Sequence, residues 1–589
     1  RSHDQHCDHM TALSLQTCPE ADSKMKIVFA LFACFACSST AQNVVRMQQE
    51  ESGGEGSRSE GRCGFAFATY YNSHMVLQQA PQQAVVWGIH PDVGDRIIVK
   101  VAELQHSYSA DVRQGPDTGV WSVTLDPIVA GGPYTITAYA DDGSTISITD
   151  VLFGDVWVCS GQSNMQFSTD QIYNASQELN ASSQYTDIRL FTVAMRTSTT
   201  PLYDLSAIAE PWSLPNATTV GKSPFNYFSA VCWLFGKGLY KELGYPIGLI
   251  DTTWGGTPVE AWSSPDALAR CGWEDTVTDS AVSYRTNPRE DGTTDVDGPG
   301  GNSQLWNAMV YPLLNMTVYG AIWYQGEADA MEPKMHHYNC TFPAMIDDWR
   351  KNFAAASRQT KPDFPFGFVQ LSGNSPDPTV VVGFPDIRWH QTADFGYTPN
   401  PRMNNVFMAV SMDLPDFNSP YGSIHPRDKQ DVAERLLLSG LRVAYNKGTE
   451  PTQGPRPVSV VQQGDTVDLT YSTSVSGDNI RVKSRDGFEF CCSWNGKAEC
   501  TPKNSWWLPA PIISSGPTTL SLDASVCGSD QFIVGLRYAW HESPCVFKQC
   551  AVYSTSNDLP APPFITIKPQ SSSTAFTYTI DWSKPQLIP

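Results

Sequence analysis

Three short segments of this chain follow a strand-like apolar run with a tight polar loop, and a fourth stands at the entry to an amphipathic helix; each carries residues able to take part in a reaction. The run from Gly154 to Cys159 feeds Ser160-Gly161-Gln162-Ser163-Asn164. Glycine there lets the backbone turn sharply and leaves Ser163 exposed at the strand end. A serine hydroxyl becomes a nucleophile only when a base accepts its proton. The segment Ser423-Ile424-His425-Pro426-Arg427-Asp428-Lys429 offers such a base in His425, because an imidazole is partly neutral near neutrality. Trp254-Gly255-Gly256-Thr257 places bare backbone N–H groups beside whatever binds, and such groups stabilise an oxyanion. Ile322-Trp323-Tyr324-Gln325-Gly326-Glu327 ends a strand with the Gln325 amide, a further donor, and Glu327 is expected to brace that loop. Taken singly, each segment reads as an ordinary turn, cap or loop. The G-x-S-x-G nucleophile elbow, for instance, needs glycine where this chain has Met165. Taken together, they supply a nucleophile, a base and oxyanion donors, the parts of an acyl transfer.

Such loops need elements to hold them. Apolar runs at Val156–Val158, Ile247–Ile250, Tyr319–Trp323, Phe366–Val369 and Val406–Val410 suit parallel strands covered on both faces. They alternate with helix-like stretches. One of these, Asp428 to Tyr445, places Val432, Leu436, Leu437, Leu441 and Ala444 at helical spacing. The pattern predicts a doubly wound α/β domain over 150–446, with ligands bound beyond the strand ends. Residues 63–149 alternate apolar and polar in short runs, as at Ala84–Trp87, Arg96–Val101 and Thr135–Tyr139, which predicts a small β-sandwich. From 447 to 589 the chain returns to β-like segments, such as Val458–Ser472 and Asn479–Lys483. Cysteines cluster there at 491, 492, 500, 527, 545 and 550.

At 589 residues the chain exceeds one compact core, and a composition 41% hydrophobic and 17% charged is that of a folded protein. A formal net charge of -21 sets it against nucleic acid and anionic membrane surfaces. Met25-Lys26, an apolar run from Ile27 to Ala36 and the small-residue site Ser39-Thr40-Ala41 read as a signal peptide over 25–41, with residues 1–24 upstream of it. That run is too short to span a bilayer, and no later segment looks transmembrane. Residues 42–62, rich in Glu, Gly, Ser and Arg, read as a linker. A lumenal fate makes the cysteines disulfides rather than zinc ligands, with an odd one left over. Sequons at Asn174, Asn180, Asn216, Asn315 and Asn339 agree with that fate. The Asp291–Asp297 loop lacks the ligand spacing of a calcium-binding EF-hand and reads as solvated.

The ordered set of loops resembles the SGNH-hydrolase superfamily and, within it, the sialate O-acetylesterases. The likeness extends to His74-Met75-Val76-Leu77-Gln78, to Asp486–Cys492 and to Leu559–Pro563, so it covers nearly the whole mature chain. It implies a flavodoxin-like parallel sheet with flanking β-rich domains. It also implies a serine esterase that removes acetyl groups from O-acetylated sialic acids or sialoglycans, at O-9 and O-4, in a lysosomal or extracellular setting. Ser163 would be the nucleophile and His425 the base. The oxyanion would lie between the N–H groups of Ser163 and Gly256 and the side chain of Gln325. No metal or organic cofactor is implied. Many of these enzymes carry Asp three residues before the histidine, where this chain has Gly422. Asp413, Asp416, Asp428 or a backbone carbonyl could orient His425 instead. Deacetylation of another sugar, such as acetylated xylan, is the alternative within the class. A non-catalytic glycan-binding protein is the alternative outside it.

Overall fold

The computed structural model describes residues 64–273, 286–288, 294–296, 298–471, 478–494, 496, 500–501, 506–568 and 576–586. The expected upstream segment, signal peptide and linker lie outside these residues, as do Cys63 and the side chains of the Asp291–Asp297 loop.

Strand β1 (Thr145–Gly161) organises the molecule. Up to Asp150 its residues alternate between more and less exposed; from Val151 onward every residue is buried. That change records a passage from a sheet wetted on one face to one covered on both. The first part of β1 pairs antiparallel with Gly131–Ala140, which continues to Arg96–Val101 and His106–Asp111. A separate sheet joins Ala66–Phe67, Val85–His90, Gly119–Thr124 and Arg113–Gln114. The second part of β1 lies in the central sheet. One strand therefore crosses the boundary expected at residue 149, where a linker would ordinarily stand.

The central sheet adds β2 (Ile188–Val193), β3 (Ile208–Ser213), β4 (Ile247–Thr253), β5 (Gly320–Tyr324), β6 (Phe366–Gln370) and β7 (Val406–Val410), in the order β3-β2-β4-β1-β5-β6-β7. All pairs are parallel except β3 with β2. The doubly wound core with flanking β-sheets is as expected. β2 and β3 were not foreseen. Arg189 and Thr192 interrupt the apolar run of β2, and the arginine is accommodated by Asp150, 2.9 Å from its Nη1. Chain order leaves β1 toward β2–β4 on one side and β5–β7 on the other. The loops after β4 and β5 therefore flank the loop after β1, the crevice where open α/β sheets bind ligands.

The helices nearest that crevice are the single turn α1 (Ser163–Gln166), α2 (Ala230–Leu243), α3 (Tyr338–Ser357) and α4 (Lys429–Tyr445). Asp428 caps α4 by accepting the N–H of Asp431 at 3.1 Å. Val432, Ala433 and Leu436 form its buried face, which packs toward α2 and β7.

Beyond α4, the hairpin Pro457–Gln463 and Thr466–Tyr471 joins a five-stranded antiparallel sheet, and Phe488–Ser493 and Phe532–Tyr538 form the centre of a four-stranded one. Disulfides Cys491–Cys500, Cys492–Cys527 and Cys545–Cys550 staple this region, while Cys159–Cys232 ties β1 to α2 and Cys271–Cys340 closes a loop onto α3. Five disulfides mark a chain of the oxidising secretory pathway. Among the described residues, no helix is long and apolar enough to cross a membrane.

Candidate active site

β1 ends at Gly161, whose φ of +141° is unfavourable for any other residue. A Cβ there would also lie 2.2 Å from the carbonyl oxygen of Tyr324 at the end of β5. Glycine is therefore required both by the turn and by the close approach of two strands. Gln162 donates its N–H to the same Tyr324 carbonyl at 3.0 Å, and α1 then begins at Ser163. The Ser163 side chain stands half-exposed at the mouth of the crevice.

The 411–428 segment, which follows β7, returns His425 to that point. Its Nε2 lies 2.8 Å from Ser163 Oγ, and its Nδ1 lies 2.7 Å from the carbonyl oxygen of Tyr421. A carbonyl can only accept, so Nδ1 carries the hydrogen and Nε2 presents its lone pair to the hydroxyl. Gly422, with φ of +88°, makes the turn between Tyr421 and the histidine, and His425 N–H donates to the Gly422 carbonyl at 2.9 Å. Phe167 stacks on the imidazole at 6.2 Å and Phe225 meets it edge-on at 5.1 Å, which limits its rotation.

The three carboxylates considered as orienters of His425 have other partners. Asp413 holds Arg435 at 2.6 Å and the Tyr553 hydroxyl at 3.0 Å. Asp416 holds Arg427 at 2.6 Å and Tyr173 at 3.2 Å. Asp428 is the cap of α4. Of the four options left open by the sequence, the one found at Nδ1 is the backbone carbonyl.

Gln325 requires a correction. It is completely buried. One Nε2 hydrogen goes to the Thr257 carbonyl at 3.1 Å and the other to Asp329, while Oε1 accepts from the Tyr338 hydroxyl at 2.9 Å. An amide has two hydrogens, so none remains for an oxyanion. Gln325 instead ties the loop after β5 to the loop after β4. Burial, together with the neighbouring Glu260 carboxylate, holds the Asp329 carboxyl well above the usual range.

The glycine pair lies against Ser163. A Cβ on Gly255 would come 3.1 Å from Ser163 Cβ, and the Gly255 N–H is taken by Gln166 Oε1 at 2.8 Å. Gly256 turns with φ of +71°. Among the described residues, no acceptor takes the N–H of Ser163 or of Gly256. Two unoccupied backbone donors thus stand on Ser163 and on the residue after Gly255, without the third that the sequence suggested.

Two buried side chains were missed. Asn164 and Lys429 join the site through contacts across some 265 residues of chain, and no local spacing signals them. Burial pushes the Lys429 amine down to about 7, and burial likewise raises the Glu327 carboxyl.

Residues 153–416 match the family described as carbohydrate esterase, sialic acid-specific acetylesterase, and residues 457–568 match the sialate O-acetylesterase C-terminal domain. The sialate O-acetylesterase of Mus musculus is 43% identical over 534 residues, which are 86% of this chain and 95% of that one. The Homo sapiens protein of the same name is 44% identical over 517 residues, 86% of this chain and 93% of that one. Among solved structures, a carbohydrate acetylesterase from Xanthomonas citri superposes with a TM-score of 0.67 at 25% identity, over 85% of this chain and 99% of that one.

Proposed function

The chain belongs to the sialate O-acetylesterase family of carboxylic ester hydrolases, and from that premise we propose that it releases acetate from O-acetylated sialic acids with Ser163 as nucleophile and His425 as general base. The observation that carries this reading is the 2.8 Å contact between Ser163 Oγ and His425 Nε2, with Nδ1 held by a carbonyl. In that tautomer the imidazole takes the hydroxyl proton as Oγ attacks the acetyl carbonyl. The tetrahedral oxyanion forms against the N–H groups of Ser163 and Gly256. Collapse expels the sugar oxygen, which receives the proton from His425, and leaves acetyl-Ser163. Water, deprotonated by His425, then releases acetate. The acetyl esters addressed are those at O-9 and O-4 of sialic acid.

The working compartment is the lysosome or the exterior. Exposed Asn174, Asn180 and Asn216 carry N-glycans there, together with the half-buried Asn315 and Asn339. The deciding experiment measures acetate release from 9-O-acetylated sialic acid by the wild type and by Ser163→Ala. Loss of at least about 10⁴-fold in kcat supports the reading. A folded wild type that is inactive on this substrate yet cleaves acetylated xylan would replace the substrate class. Inactivity on every acetate ester would leave a glycan-binding protein.

A further inference from the structure

Asn164, the residue after the nucleophile, is 1% exposed and uses every hydrogen-bonding atom of its amide. Nδ2 donates to Glu327 Oε1 at 2.6 Å and to the Ile424 carbonyl at 2.9 Å; Oδ1 accepts from Lys429 Nζ at 2.6 Å. Those partners stand on three elements: the loop after β5, the residue before His425, and the first turn of α4. Lys429 is completely buried, with Nζ above the rings of Phe167 at 4.8 Å and Tyr324 at 5.2 Å. The charged groups that face it are Glu327, Asp428 and Asp416.

An amide can sit in its site two ways, with oxygen and nitrogen exchanged. Here an ammonium on one side requires the oxygen, while a carboxylate and a carbonyl on the other require the nitrogen. Burying an ammonium and a carboxylate carries a desolvation cost that an apolar pair would avoid, so the arrangement is better explained by what it holds in place than by stability.

We propose that Lys429 is a positioning residue of this esterase: acting through Asn164, it locks the Ser163 turn to the Ile424–His425 segment, so that hydroxyl and imidazole are in contact before substrate binds. The inference rests on Ser163 and His425 being the nucleophile and base. Lys429 touches no reacting atom, and its loss should lower kcat rather than raise KM.

The test compares Lys429→Met, Lys429→Gln and the double variant Glu327→Gln/Lys429→Met with the wild type, on an aryl acetate and on 9-O-acetylated sialic acid. Thermal unfolding is followed in parallel, and Ser163→Ala serves as the control. Lys429→Met is expected to lose about 10- to 100-fold in kcat with KM changed less than about twofold. The double variant removes both charges and should recover melting temperature, yet its kcat stays low because methionine cannot donate to Asn164 Oδ1. Lys429→Gln restores a donor and should regain part of the rate. Wild-type kcat in the folded double variant would overturn the proposal, as would a loss confined to KM. If none of the three variants folds, Lys429 serves stability alone and the proposal fails. Activity retained by Ser163→Ala would instead sink the nucleophile assignment itself.

Discussion

Nδ1 of His425 points at the backbone carbonyl of Tyr421, 2.7 Å away, with Gly422 as the hinge between the two residues. A carbonyl fixes the tautomer and the ring plane, as a carboxylate would, without bringing a second charge into the crevice. Gly422 stands three residues before His425, where the resemblance would place an aspartate. Its left-handed φ of +88° is unfavourable for an aspartate, and it is this turn that sets the Tyr421 carbonyl against Nδ1 at the edge of the ring.

Asparagine in place of Asp416 tests that arrangement. Asp416 anchors Arg427 in the same loop, so Asp416→Asn should disturb the loop and lower kcat less than about tenfold. Removing the charge of a true triad aspartate costs about 10⁴-fold. A loss of that size in steady-state kinetics would make Asp416 the third member after all.

Gln325 separates a structural role from a catalytic one. Gln325→Leu takes a donor from the Thr257 carbonyl and from the Asp329 carboxyl, which keeps the Val259 N–H, a cost of about 1–3 kcal/mol in urea unfolding. Activity should fall in step with that loss of stability. Unchanged stability with a 10²- to 10³-fold drop in kcat, roughly the worth of one oxyanion donor, would return Gln325 to the oxyanion hole.

Stability should be greater in acid. Burial pushes the Glu210 carboxyl up to about 8 and the Asp251 carboxyl up to about 7. Unfolded carboxyls titrate near about 4, so at higher pH the folded chain keeps protons that the unfolded chain has lost. Their stabilisation is complete below about pH 4 and is lost as pH rises through 7 to 8. Depressed carboxyls such as Asp416 and Asp478 act oppositely, but their contribution is complete by about pH 5. The melting temperature should therefore be higher at pH 5 than at pH 8, and Glu210→Gln should flatten the difference. A melting temperature that climbs from pH 5 to pH 8 would contradict this, and with it the physical fit to an acidic compartment.

Cys159 and Cys232 bridge β1, the strand that leads to Ser163, to α2, closing a span of 73 residues. The paired substitution Cys159→Ala/Cys232→Ala should cost about 2–5 kcal/mol by denaturant unfolding. Activity per folded molecule should fall as well, because the strand end that carries Ser163 loses an anchor. Stability within error of the wild type would show the bridge to be dispensable.

Much of this protein was legible in one dimension. Continuous apolar runs identified β1 and β4 to β7, because a strand covered on both faces needs apolar residues at every position. Helical spacing identified α4. The turn chemistry of Gly161 and Gly255-Gly256, with His425 before a capped helix, marked the loops that the fold brings together around Ser163. These signals are local, and local sterics and burial write them into neighbouring residues. What joins distant positions was decided only in the folded chain. Arg189 hid β2 until Asp150 arrived to pair with it. Gln325 read as a free donor because Thr257, Asp329 and Tyr338, which occupy it, come from other loops. The choice among Asp413, Asp416, Asp428 and a carbonyl depended on where the turn at Gly422 aims the backbone. Asn164 and Lys429 carry no signal at all until folding brings them within 2.6 Å, since a hydrogen bond across 265 residues depends on packing and leaves no periodicity in the sequence.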